Sequence, residues 1–228
     1  MLLPLSLPVH FTEQDFFESP INREALQWIR AWPHWPSHGL IIYGPKACGK
    51  THLSYIFEHR THALRMSLPQ NEDEGHLLLN HLDANPVCVL DDVDAFLHVP
   101  SAASFLFHFY NLLQEKKGSF LLLMETPPAH LAIPLPDLSS RLRSLPAISV
   151  GQPDDALLVQ VMTKLFADLQ LEVTPAIIDY LLHHMERSFA GARTLIHGLN
   201  RRSLQEKRPM TLEFCRKFLC VDASSNLE

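Results

Sequence analysis

The chain has 228 residues and a formal net charge of −6, from 19 Lys and Arg against 25 Asp and Glu. That balance excludes a broad cationic face as its main binding device. Apolar residues make up 46%, enough to build a buried core and to exclude disorder or collagen-like repetition. Wholly apolar stretches such as 120–124 fall far short of the roughly 20 residues that cross a bilayer.

In chain order, residues 1–11 are apolar but hold two prolines and no Lys or Arg, so they lack the charged region of a secretory signal, and we expect a cytoplasmic protein. Ala25, Trp28 and Ile29 lie at helical spacing and predict a helix over 22–31, closed by Trp32-Pro33. A short buried strand follows at 39–43, then a helix at 50–60 with Leu53, Ile56 and Phe57 on one face. Further expected elements are a strand at 63–67, a helix at 74–82, a strand at 87–90 introduced by Pro86, a helix at 101–116 and a strand at 120–124. Strands alternating with helices predict a parallel α/β sheet.

After Gly151 the pattern becomes all-helical. Pro153-Asp154-Asp155 opens a helix with acids where its dipole favours them, and Leu157, Leu158, Val161 and Leu165 give its apolar stripe. Helices are expected at 175–185, 190–205 and 212–219, with no strand signal between them. We therefore read residues 1–12 as an N-terminal tail, 13–151 as an α/β core and 152–228 as a helical domain.

Glycine is scarce, eight in all, and three fall between positions 39 and 49. Such use of a permissive residue points to a backbone that needs positive φ or close approach to a ligand. Gly44-Pro45-Lys46-Ala47-Cys48-Gly49-Lys50-Thr51 fits the P-loop pattern GxxxxGK[ST] between a predicted strand and helix. Its amides and the helix N-terminus can cradle the phosphates of ATP or ADP, Lys50 can reach the outer phosphates, and Thr51 can ligate Mg²⁺. Val87-Cys88-Val89-Leu90-Asp91-Asp92 supplies the second half of such a site. Asp91 is the candidate to hold the metal, and Asp92 the candidate to polarise an attacking water. The four cysteines form no close CxxC pair and read as reduced thiols, and the fourteen histidines show no metal-ligand spacing.

Together with Leu135-Pro136-Asp137-Leu138-Ser139-Ser140-Arg141-Leu142 and Gly191-Ala192-Arg193-Thr194-Leu195, these motifs make the chain resemble the DnaA/Hda family of AAA+ proteins over nearly its whole length. The closer likeness is to the shorter, regulatory Hda branch in its alphaproteobacterial form. The resemblance implies a P-loop AAA+ core with a parallel five-stranded sheet and a C-terminal all-helical lid. It implies that Arg141 is an arginine finger completing a nucleotide site on a neighbouring subunit, and that Arg193 is a second sensor of the chain's own nucleotide. It further implies DnaA and the DNA sliding clamp as partners, with Leu5 and Leu7 of Pro4-Leu5-Ser6-Leu7-Pro8-Val9 as clamp anchors, and homo-oligomers as a further possibility. At the first sensor the sequence departs from the family: 123–128 is one residue short, Thr126 is the substitute, and weak intrinsic hydrolysis is expected.

The favoured function is stimulation of ATP hydrolysis on DnaA, limiting re-initiation of chromosome replication. An initiator-like ATPase acting at DNA through partner proteins is the alternative, and a small-molecule phosphotransferase is a third. With the lid helices running to the end of the chain, direct sequence-specific DNA binding is not expected.

Overall fold

A computed structural model describes residues 11–69, 71–82, 86–97 and 99–225. The short apolar runs become strands: β1 (Gly39–Tyr43), β2 (Leu64–Met66), β3 (Val87–Leu90), β4 (Ser119–Met124) and β5 (Ala147–Ser149). They form one sheet in the order β2-β3-β4-β1-β5, with every pair parallel. Between them run α1 (Arg23–Arg30), α2 (Lys50–Thr61), α3 (Glu72–His81), α4 (Val93–Phe96), α5 (Pro100–Glu115) and α6 (Pro136–Ser144).

Side chains alternate across a strand, so each run feeds two cores. Leu40, Ile42, Val89, Leu121 and Leu123 pack with Ala25, Leu26 and Ile29 of α1 and with Leu53, Ile56 and Phe57 of α2. Ile41, Cys88, Leu90, Phe120, Leu122 and Met124 face the other way, onto Phe105, Leu106, Phe109 and Leu113 of α5 and Leu138 and Leu142 of α6. Both faces are therefore dry, which is why these strands read as continuous apolar runs.

The chain divides into two compact units at the junction of Gly151 and Gln152. The second unit holds α7 (Asp155–Asp168), α8 (Pro175–His184), α9 (Phe189–Glu206) and α10 (Leu212–Ser225) around a core of Leu158, Met162, Phe166, Leu181, Ile196, Leu199 and Phe214. Asp154 sits just outside α7 and caps it, its carboxylate accepting from Leu157 N–H at 2.8 Å. No helix among the described residues is long and apolar enough to cross a membrane.

Most boundaries lie within two residues of those expected, but α10 runs to Ser225, six residues past the expected end at 219, and three of these strands and α-helices carried no assignment from sequence: α4, α6 and β5. β5 has three residues, with only Ile148 buried, so neither length nor alternation announces it. Its pairing with β1 supplies the fifth strand that the family resemblance implies.

Cys48, Cys88 and Cys215 are buried, and Cys220 is exposed. Burial pushes the Cys88 thiol up to about 12 and the Cys215 thiol to about 11. Burial also raises the Cys48 thiol, with neighbouring Lys50 opposing it. Because the thiolate is the reactive form, iodoacetamide at pH 8 is expected to modify Cys220 alone in the folded protein and all four thiols after unfolding, as read by mass spectrometry. Equal labelling of Cys88 in the folded protein would contradict the dry sheet face.

Candidate functional site

The strand order brings three carboxyl-terminal strand ends together, β3, β4 and β1 side by side, where ligands bind in open parallel sheets. From β1 the chain enters the P-loop. Gly44 donates its N–H to Met124 O at 3.1 Å and lies so close to Val150 that a Cβ there would sit 2.1 Å from the Val150 carbonyl oxygen. That approach accepts only glycine. Gly49 has φ +104° and forms the N-cap of α2, so the loop turns directly into the helix and presents first-turn N–H groups that the helix does not itself use.

Lys50 is 7% exposed and its head is held in place by the loop itself, Nζ donating to Gly44 O at 2.7 Å and Pro45 O at 2.9 Å. Cys48 Sγ lies 4.0 Å from the same Nζ. Thr51 Oγ1 donates to Asp91 Oδ2 at 3.5 Å. A hydroxyl and a carboxylate converging from α2 and β3 are hard oxygen donors of the kind Mg²⁺ takes, so the residues fit that ion.

Asp92 has φ +52° and caps α4; its N–H donates to Asp91 Oδ1 at 2.9 Å, and its side chain is exposed. Two residues that sequence reasoning passed over also build the site. Asp94, in the first turn of α4, accepts the N–H groups of both Glu125 and Thr126 on Oδ2, each at 2.9 Å, and so fixes the segment where the first sensor is expected. A third acid in Asp91-Asp92-Val93-Asp94 was the only available signal. Arg65, from β2, ion-pairs with Asp91 at 3.3 Å and with Glu58 at 2.5 Å.

Arg141 belongs to α6 and Arg193 to the second unit. Arg141, on α6, is half-buried with its guanidinium 4.7 Å from the Phe107 ring centroid and 5.2 Å from that of Tyr110. Its Nη1 is buried and has no hydrogen-bond partner among the described residues. His38 neighbours this cation; burial lowers its imidazole pKa, a backbone hydrogen bond at Tyr110 opposes the shift, and Arg141 adds to it. In the second unit Arg193 lies in the second turn of α9, whose cap is Ser188, its Oγ accepting from Gly191 N–H at 2.9 Å. A Cβ at Gly191 would stand 2.5 Å from Glu186 O, which explains the glycine in that motif. Leu5 and Leu7 lie outside the described residues.

The chain is similar in fold to domain III of the Thermotoga maritima replication initiation protein DnaA, with a TM-score of 0.75 and 17% identity over 92% of this chain and 95% of that one. It is also similar to AMPPCP-bound DnaA from Aquifex aeolicus (TM-score 0.65, 19% identity, 89% of this chain and 71% of that one). The Thermotoga maritima RuvB Holliday junction branch migration motor shares the fold at a TM-score of 0.72 and 16% identity, over 92% of this chain and 71% of that one. In sequence the chain is 24% identical over 185 residues to an uncharacterized protein of Haemophilus influenzae, covering 78% of this chain and 80% of that one. Strand order, P-loop and these likenesses define a P-loop protein of the AAA+ fold with a helical C-terminal lid. Residues 155–219 match the family model of the Hda lid domain. The second unit of the chain thus matches an Hda lid, and the fold of the chain is that of DnaA domain III.

Proposed function

We propose that this protein is a nucleotide-binding regulator that, together with the DNA sliding clamp, stimulates hydrolysis of the ATP held by DnaA and so limits re-initiation of replication. The observation that carries this reading is an Hda-type lid in the same chain as a P-loop and its aspartate partner. In this reading Lys50 and the loop from Gly44 and Pro45 through Cys48 and Gly49 hold ADP or ATP, and Arg193 senses it from the lid. Thr51 and Asp91 hold Mg²⁺, which when bound neutralises charge on the phosphates. Asp92 orients water, and Thr126 stands in for the first sensor. Arg141 is the group presented to the neighbour, because an always-charged planar fork suits phosphate oxygens. Leu5 and Leu7 are the apolar anchors for the clamp groove.

The test is ATP turnover in a reconstituted mixture of DnaA, clamp, DNA and this protein. Arg141→Ala and Arg141→Lys are each expected to lower stimulation by about a thousandfold, the range that a trans-acting arginine supplies in GTPases. Lys keeps the charge against Phe107 and Tyr110, so loss of stimulation in that variant reports the missing fork rather than the missing packing. Undiminished turnover with either folded variant would sink the mechanism. Direct contact of the basic end of α9 with DNA phosphates is disfavoured, because Arg202 and Arg208 both pair with Glu206.

A further inference from the structure

We propose that Arg65 is a resident counter-cation for Asp91, which Mg²⁺ must displace, so that nucleotide binding by this protein depends only weakly on Mg²⁺. The inference rests on reading the P-loop as a nucleotide site and concerns how that site treats its metal.

Parallel pairing of β2 with β3 aligns Arg65 with Val89 and Met66 with Leu90, which brings the Arg65 side chain within reach of the strand end that carries Asp91. Four groups then hold the guanidinium. Nη1 lies 3.3 Å from Asp91 Oδ2, and Nη2 donates to the hydroxyl of fully buried Ser54 at 2.6 Å. Nε stands 2.5 Å from Glu58 Oε1, a close ion pair rather than an aligned hydrogen bond, and the carbon of the fork lies 4.4 Å from the Tyr55 ring centroid. Ser54, Tyr55 and Glu58 all belong to α2, the helix that begins with Lys50 and Thr51.

Asp91 Oδ2 is the oxygen that also accepts from Thr51. The carboxylate oxygen closest to Thr51 is thus already engaged by a fixed cation, and a divalent ion that used it would have to take it from Arg65. The pair is less than a third exposed on both sides, with 29% of the Arg65 side chain and 27% of the Asp91 side chain accessible, so water screens it less than a surface bridge. Glu58 is 17% exposed and competes with Asp91 for the same guanidinium. Burial pushes the Glu58 carboxyl up, and Arg65 draws it back down. Two carboxylates sharing one fork make the strength of the Arg65–Asp91 contact adjustable from either side.

The experiment titrates the full chain with a fluorescent ADP analogue in EDTA and across a series of Mg²⁺ concentrations. Wild type should change its apparent Kd by less than about threefold between EDTA and millimolar Mg²⁺. Arg65→Gln frees Asp91, so Mg²⁺ should now tighten binding by about tenfold, with a lower Mg²⁺ midpoint. Glu58→Gln leaves Asp91 as the one anionic partner of Arg65 and should move the midpoint the opposite way. Loss of packing alone would not shift the two variants in opposite directions, and Glu58→Gln keeps the proposal testable if Arg65→Gln does not fold. Identical Mg²⁺ dependence in wild type and Arg65→Gln, or shifts of the same sign in both variants, would overturn it. No binding by wild type in either EDTA or Mg²⁺ would instead overturn the nucleotide reading itself.

Discussion

Replacing Lys50 with Ala is expected to lower affinity for ADP and ATP by about a hundredfold or more, measured by titration calorimetry, while far-UV circular dichroism stays that of the wild type. A charge-assisted hydrogen bond to a charged group contributes about 1.5–3 kcal/mol, and hundredfold corresponds to about 2.7 kcal/mol. Lys50 is the buried lysine of the loop and is held within it by two carbonyls, so its head is positioned before any phosphate arrives. The structural cost should be smaller. Gly44 and Pro45 lose one donor each, but Pro45 is exposed enough for water to replace it. Lys50→Met, which keeps the apolar stem in the buried channel, should lose affinity equally and stability less. Retained affinity in both variants would mean that the P-loop pattern does not serve nucleotide in this chain.

The second large effect belongs to Asp94. One carboxylate oxygen serves two backbone N–H groups, those of Glu125 and Thr126, where β4 gives way to the following loop. Asp94→Ala removes this shared acceptor, leaves both donors without it and should lower stability by about 2–3 kcal/mol, since a buried donor left without a partner costs about 1–3 kcal/mol and this site is only partly buried. Urea denaturation gives the stability change. Amide hydrogen exchange locates it: protection at Glu125 and Thr126 should fall well ahead of protection in the core of β4. Asp94→Asn keeps a carbonyl acceptor and should lie between the two. An unchanged exchange pattern in Asp94→Ala would show that the carboxylate does not hold this segment. The consequence for the proposed function is that a fixed Thr126 backbone is the condition for Thr126 to serve as the first sensor.

The P-loop and the Asp91-Asp92 pair were legible because their chemistry is local. Eight consecutive residues make the loop, and one buried strand delivers the acids. The longer strands β1, β3 and β4 were legible for a related reason, since a parallel sheet covered on both faces is written in unbroken apolar runs. β5 was not, having three residues and one buried side chain. α6 lay inside a recognised motif, Leu135 to Leu142, that was read for its arginine rather than for the helix that Pro136 opens.

By itself, then, the sequence determined an α/β P-loop core and a helical second domain, and it named candidates for phosphate and metal, because these follow from periodicity and from spacing within short segments. Only the tertiary structure decided which charges face one another. Arg65 and Asp91 are 26 positions apart and meet because β2 pairs with β3. Asp94 reaches Glu125 across 31 positions because β3 and β4 are neighbours. Arg141 rests against Phe107 and Tyr110 because α6 packs on α5. A lone Arg or Asp in a sequence carries almost no signal of its partner, since pairing depends on strand order and register, and those are set by the burial of the whole sheet.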